Sequence, residues 1–235
     1  MHVTTFLLVP GAGGRAWGWH RLVAELQRRG HQAVAVDLPA ADDSAGIAAY
    51  AEAVIAAAAG LGPVVLVAHS LGGFTAPLVC DRVPVELLVL VNAMVPLPGE
   101  TGGDWWTATG QTAAADAQAE AAGLPHDQND LGVVFFHDVP EDVAAAAMAE
   151  PFEQSARPFA DPWPLPRWPD VPTRVLASRE DRLFPLRFQR RVAAERLGVE
   201  VDELPGGHFV ALARPVELAD RLEGYVRELA PGRGR

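Results

Sequence analysis

Val67-Ala68-His69-Ser70-Leu71-Gly72-Gly73 joins an apolar run, residues 64–69, to a segment of helical periodicity, residues 71–82. A serine at such a strand-to-helix junction is forced through a tight turn, and its hydroxyl projects from the sheet edge. Small residues two before and two after the serine let strand and helix approach closely. The usual pattern is G-x-S-x-G; here Ala68 holds the first small position, and alanine still fits. The competing reading of the stretch is a Ser-Gly-Gly turn that does no more than open a helix.

Outward from this junction the chain repeats one alternation. A second apolar run occupies residues 4–9, further strands are read at 32–38, 87–92, 173–177 and 199–204, and helical patterns occupy 17–29, 44–59, 185–197 and 215–229. Gly30 and Gly60 follow two of these helices, as expected of residues that adopt the left-handed conformation beyond a helix end. Strands apolar on both faces, separated by amphipathic helices, predict a single open, mostly parallel sheet of six strands flanked by helices. Ligands of such sheets sit beyond the carboxyl ends of the strands. The alternation is interrupted from 96 to 172, a stretch too long for a loop. It holds helix-forming segments at 112–122 and 141–150, together with Trp105, Trp106, Trp163, Trp168 and several prolines. The expectation is a core of residues 1–95 and 173–235 with a helical cap insertion, residues 96–172, over the site. Residues 231–235 are expected to fray.

Composition narrows the functional classes. About half of the 235 residues are hydrophobic (49%), enough for a sizeable core and against disorder. The net charge is −11 and the chain has no lysine, a balance poorly suited to nucleic acid. Cys80 is the single cysteine, which rules out a disulfide framework or thiolate metal site and fits a buried small hydrophobe in a reducing compartment. The opening residues 1–10 carry no charged leader or cleavage site, and no apolar run reaches the roughly 18 residues that span a bilayer. A soluble, cytoplasmic chain is expected, with no metal and no cofactor.

Three further positions complete a chemistry with Ser70. A serine hydroxyl needs a base to take its proton. His208, after Gly206-Gly207 and the last strand, is placed to supply it, although a histidine there also suits helix capping or packing. An acid must then orient the imidazole. Asp181 follows the preceding strand, and its D-x-x-x-P spacing puts Pro185 at a helix start. Glu180 is the competitor and Asp37 a distant third. The order Ser, Asp, His is the one this kind of sheet uses. The backbone N–H groups of Leu71 and Ala12 are the candidate oxyanion donors. Ala12 lies in the turn Pro10-Gly11-Ala12-Gly13-Gly14, which matches neither the phosphate-loop pattern nor the dinucleotide fingerprint, since Ala16 stands at the third glycine position. His69 reads as a packing or loop residue. Trp17, His20, Phe136 and Phe209 are candidate pocket residues, although Trp17 also suits anchoring of the first helix and Phe136 the core.

The chain resembles the plant hydroxynitrile lyase and methylesterase group within the α/β hydrolases. The resemblance runs through residues 8–20, 30–38, 68–73, 91–96, 181–189 and 206–209, nearly the whole length. It implies the α/β-hydrolase fold, the same catalytic and oxyanion residues, and a hydrophobic pocket under the cap. Two departures matter. Pro10 stands where the group usually has His, so the hydrogen bonding around that turn differs. The lyase branch carries Thr at the place of Gly11 and Lys at the place of Phe209. An ammonium there would stabilise departing cyanide and a phenyl ring cannot, which favours ester hydrolysis. The expected activity is therefore carboxylesterase cleavage of a small, largely apolar ester through an acyl-enzyme. The alternatives are a hydroxynitrile lyase-like or cofactor-free C–C bond-cleaving enzyme, or a small-ligand receptor with slow turnover. The Trp- and Pro-rich insertion either closes the site or pairs two copies into a homodimer.

Overall fold

The computed structural model describes residues 3–125, 130–149 and 153–229. Six strands form one sheet: β1 (Thr5–Val9), β2 (Gln32–Ala35), β3 (Val64–His69), β4 (Val85–Val91), β5 (Thr173–Ser178) and β6 (Val201–Leu204). Their order is β2-β1-β3-β4-β5-β6, and every neighbouring pair is parallel. Registers Val9↔Ala68, His69↔Val91, Val91↔Leu176 and Ser178↔Leu204 bring the carboxyl ends of the inner strands to one rim. The loops that carry Ala12, Ser70, Asp181 and His208 all leave from that rim.

Alternation along each strand divides the core between the two faces. Phe6, Leu8, Val65, Val67, Leu87 and Val89 pack beneath the helices His20–Arg28 and Pro215–Leu229. Leu7, Val9, Leu66, Leu88 and Leu90 pack against the helices Ile47–Ala57 and Leu186–Leu197. Each such side chain contributes about 1.5–3 kcal/mol when fully buried. That two-sided burial is the reason the inner strands β1, β3 and β4 read as nearly unbroken apolar runs.

Several elements differ from the sequence expectation for local reasons. The helix expected over 71–82 is a single α turn, Gly72–Thr75, followed by a 3-10 turn, Ala76–Val79. Pro77 has no N–H to give to the Gly73 carbonyl, so the α ladder stops there. The first helix likewise opens with a 3-10 turn at Ala16–Trp19. β2 ends at Ala35, short of the expected 38, and Asp37 beyond it accepts the Ala16 N–H at 2.7 Å.

Between β4 and β5 lie helices Gly102–Thr109, Gln111–Ala122, Leu131–Val134, Glu141–Ala149 and Arg157–Ala160. Residue 150 and the tail 231–235, for which fraying was expected, lie outside the described residues. Trp105 and Trp163 of this segment are fully buried, and their indole N–H groups donate to the Val95 and Phe74 carbonyls at 3.1 Å each. Among the described residues, no helix is long and apolar enough to cross a membrane.

Candidate active site

Ser70 has φ 51°, a left-handed conformation rare for any residue with a side chain. Such a residue costs on the order of 1–3 kcal/mol, so its surroundings must hold it. The Ser70 carbonyl accepts from Gly73 N at 3.1 Å and Met94 N at 3.0 Å. Glycine is required around it: a Cβ on Gly72 would meet the Pro10 carbonyl oxygen at 2.8 Å, and one on Gly73 the Met94 carbonyl oxygen at 1.9 Å. Gly11 lies directly against the serine, since a Cβ there would fall 2.7 Å from Ser70 Cβ. The first-strand turn and the serine turn are thus in van der Waals contact. In the same first-strand turn, Gly13 N donates to Gln154 Oε1 at 2.8 Å.

His208 and Asp181 are buried together, with His208 Nδ1 2.9 Å from Asp181 Oδ2. Asp181 Oδ1 accepts the N–H groups of Leu183 and Phe184, each at 2.9 Å. The carboxylate is thereby anchored on one oxygen and aimed with the other. An Nδ1–H donated to Asp181 leaves the lone pair of the neutral ring on Nε2. The competitors are accounted for elsewhere: Glu180 Oε2 accepts from Gly206 N, and Asp37 from Ala16 N.

The carbonyl of His208 has two buried donors, His69 Nε2 at 2.9 Å and Asn92 Nδ2 at 3.0 Å. A carbonyl only accepts, so His69 carries its proton on Nε2. Burial holds the His69 imidazole well below the ordinary histidine pKa, and the neighbouring His208 lowers it further. His69 is therefore neutral and serves as a prop for the His208 loop. Asn92 has φ 44° and its Oδ1 accepts from Ser178 N at 2.8 Å, tying the end of β4 to the end of β5. Sequence reasoning assigned no role to Asn92; a lone asparagine just beyond a buried apolar strand was the available signal.

Aromatic rings surround the imidazole. The centroids of Phe135, Phe184 and Phe209 lie 5.3, 5.2 and 5.8 Å from that of His208. Trp17, Phe136 and Phe209 line a cavity of about 110 Å³ together with Gly11, Ala12, Trp19 and His69. This cavity borders the glycine turn and the His208 loop without including Ser70 or His208 themselves. His20 is not among the residues that line it: the residue is exposed, its ring lies tilted against Trp17 with centroids 4.6 Å apart, and Nδ1 bonds to the Trp17 carbonyl at 2.8 Å. Among the described residues, no group of three or more His, Cys, Asp or Glu could hold a metal ion.

Residues 6–221 match the family described as the alpha/beta hydrolase family. The chain belongs to the alpha/beta hydrolase family. This alpha/beta hydrolase is 36% identical over 107 residues to the Oryza sativa protein named "Probable esterase PIR7A", covering 40% of this chain and 41% of that protein. At that identity the chain spans about two fifths of the relative's length. Similarity to "Esterase PIR7B" of Oryza sativa subsp. japonica is lower, 29%, and covers 92% of this hydrolase and 93% of the relative. Among solved structures, a pyrethroid hydrolase from Sphingobium faniae superposes with a TM-score of 0.74 at 22% identity, over 98% of this chain and 99% of that one. That likeness is one of fold.

Proposed function

We propose that this alpha/beta hydrolase is a serine carboxylesterase acting on small, largely apolar esters, with Ser70 as nucleophile, His208 as base and Asp181 as its orienting acid. The observation that carries the reading is the buried His208 Nδ1–Asp181 hydrogen bond, on the same sheet rim as a serine held at φ 51°. Ser70 Oγ attacks the ester carbonyl carbon and its proton passes to His208 Nε2. The resulting imidazolium is stabilised by the Asp181 carboxylate. The tetrahedral oxyanion receives the N–H groups of Ala12 and Leu71, each such donor lowering the barrier by about 3 kcal/mol. Collapse expels the alcohol, which takes its proton from His208, and water repeats the sequence on the acyl-enzyme.

The rings of Phe135, Phe184 and Phe209 around His208 support an apolar acyl or alcohol group. Phe209 offers no cation for a cyanide leaving group, which supports hydrolysis over cyanohydrin cleavage. We read the segment between β4 and β5 as the cap of the site, and the buried free thiol of Cys80 as in keeping with a cytoplasmic protein. A fluorophosphonate should add one adduct mass to the native chain, at Ser70. Ser70→Ala should lose roughly a millionfold in kcat on p-nitrophenyl esters. An intact mass unchanged after fluorophosphonate treatment, or a Ser70→Ala variant as active as the native chain, would remove the assignment.

A further inference from the structure

The loop that carries His208 is intrinsically loose, because two glycines precede the histidine and Gly206 has φ +116°, a conformation side chains rarely adopt. Its shape must be imposed by partners. Most of these come from the sheet rim: Glu180 on Gly206, Asn92 on the Gly207 and His208 carbonyls, and His69 on the His208 carbonyl. One does not. The Gly207 N–H donates to Asp138 Oδ2 at 2.7 Å, and Asp138 lies in the segment between β4 and β5, 69 residues away along the chain.

The contact is close and specific. A Cβ on Gly207 would fall 2.6 Å from His137 Nε2 and 2.7 Å from Asp138 Oδ1, so any side chain there would push these two groups away from the loop. On either side, Phe135 packs on His208 and Phe136 packs on Phe209 at 5.0 Å between centroids. Residues 135–138 therefore bracket residues 207–209. A hydrogen bond from an amide to a carboxylate is short and about twice as strong as a neutral one. It acts on the Gly206–Gly207 peptide unit, one residue before the histidine, and fixing that unit limits the backbone rotations that swing the ring.

We infer that Asp138 is a positioning residue for His208: by fixing the Gly207 amide, it makes the aim of the imidazole conditional on the seating of the segment between β4 and β5. The inference rests on the reading of His208 as the base. The effect of Asp138 on the imidazole passes through one backbone N–H. An error of about 1 Å in a reacting group can cost a hundredfold in rate.

The test compares Asp138→Asn, Asp138→Ala and Asp138→Leu in the full chain. Asparagine keeps an acceptor oxygen for Gly207 N–H; alanine and leucine remove it, and leucine keeps the bulk should the alanine variant fail to fold. The readouts are kcat and KM on p-nitrophenyl esters, the rate of fluorophosphonate labelling of Ser70, and the melting temperature. Alanine or leucine should lower kcat and the labelling rate together by roughly ten- to a hundredfold, with KM little changed. Asparagine should restore both to within about threefold of the native chain, the remainder reflecting the weaker neutral bond. A loss confined to KM or to melting temperature, with labelling at the native rate, would overturn the inference and leave Asp138 a structural tie. Asparagine as defective as alanine would overturn it as well. Failure of the native chain to label at all would instead strike the serine-hydrolase reading.

Discussion

The two oxygens of Asp181 serve different ends. Oδ1 is occupied by the Leu183 and Phe184 amides, so the carboxylate cannot turn, and Oδ2 meets His208 Nδ1. Asp181→Asn would keep Oδ1 on those amides and turn an NH₂ toward the imidazole, forcing the proton onto Nε2, where it cannot accept from serine. The expected outcome is a fall in kcat of about ten-thousandfold with the fold unchanged, checked by steady-state kinetics and circular dichroism. A variant within tenfold of the native rate would show that this carboxylate does not set the tautomer. The D-x-x-x-P spacing singled out this residue in the sequence, and Glu180 beside it was the rival. What separates them is direction: Asp181 faces the buried His208, and Glu180 faces the Gly206 amide. Sequence spacing carries no such information, and it was silent on Asn92 and Asp138, whose roles are bonds to backbone atoms far along the chain.

At the scale of elements, the inner strands β1, β3 and β4 were legible because both of their faces are buried, and the long helix Pro215–Leu229 because its pattern is strongly amphipathic. Short elements were not. The turns Leu131–Val134, Arg157–Ala160 and Val210–Ala213 are each four residues, too brief for a period to register. Helix Gly102–Thr109 did leave a signal: Thr101 Oγ1 accepts from Asp104 N at 3.0 Å, a Thr-x-x-Asp start that caps a helix. In the short turn Gly72–Thr75, Gly73 packs the Ser70 elbow closely against residues 93–94. Gly73→Ala should therefore do more than change helix propensity. With a Cβ 1.9 Å from the Met94 carbonyl oxygen, backbone must move, at a cost of about 1–3 kcal/mol or more. Urea denaturation should show that loss together with reduced fluorophosphonate labelling; a stability equal to the native chain's would mean the turn gives way freely.

For the molecule as a whole, the neutral, buried His69 links the site to global stability. In the unfolded chain its imidazole takes up a proton as the pH falls through about 6.5, whereas in the folded chain it stays neutral well below that. The unfolded state then binds more protons, so stability is full above this window and is lost as the pH drops toward the folded value, by at most about 1.4 kcal/mol per pH unit. His69→Gln, which retains a donor for the His208 carbonyl, should unfold in urea with a shallower dependence between about pH 7 and pH 5. Parallel native and variant curves would dismiss the link. The parallel strand-and-helix alternation, the serine turn and the order Ser, Asp, His were determined by the sequence itself. Each is a local pattern of burial, turn chemistry or spacing, written in neighbouring residues. Which carboxylate meets the histidine, which residues prop its carbonyl, and how the segment between β4 and β5 seats on its loop were decided only by tertiary structure. Those outcomes depend on directions and distances between groups brought together by the sheet register, and a one-dimensional pattern holds no record of them.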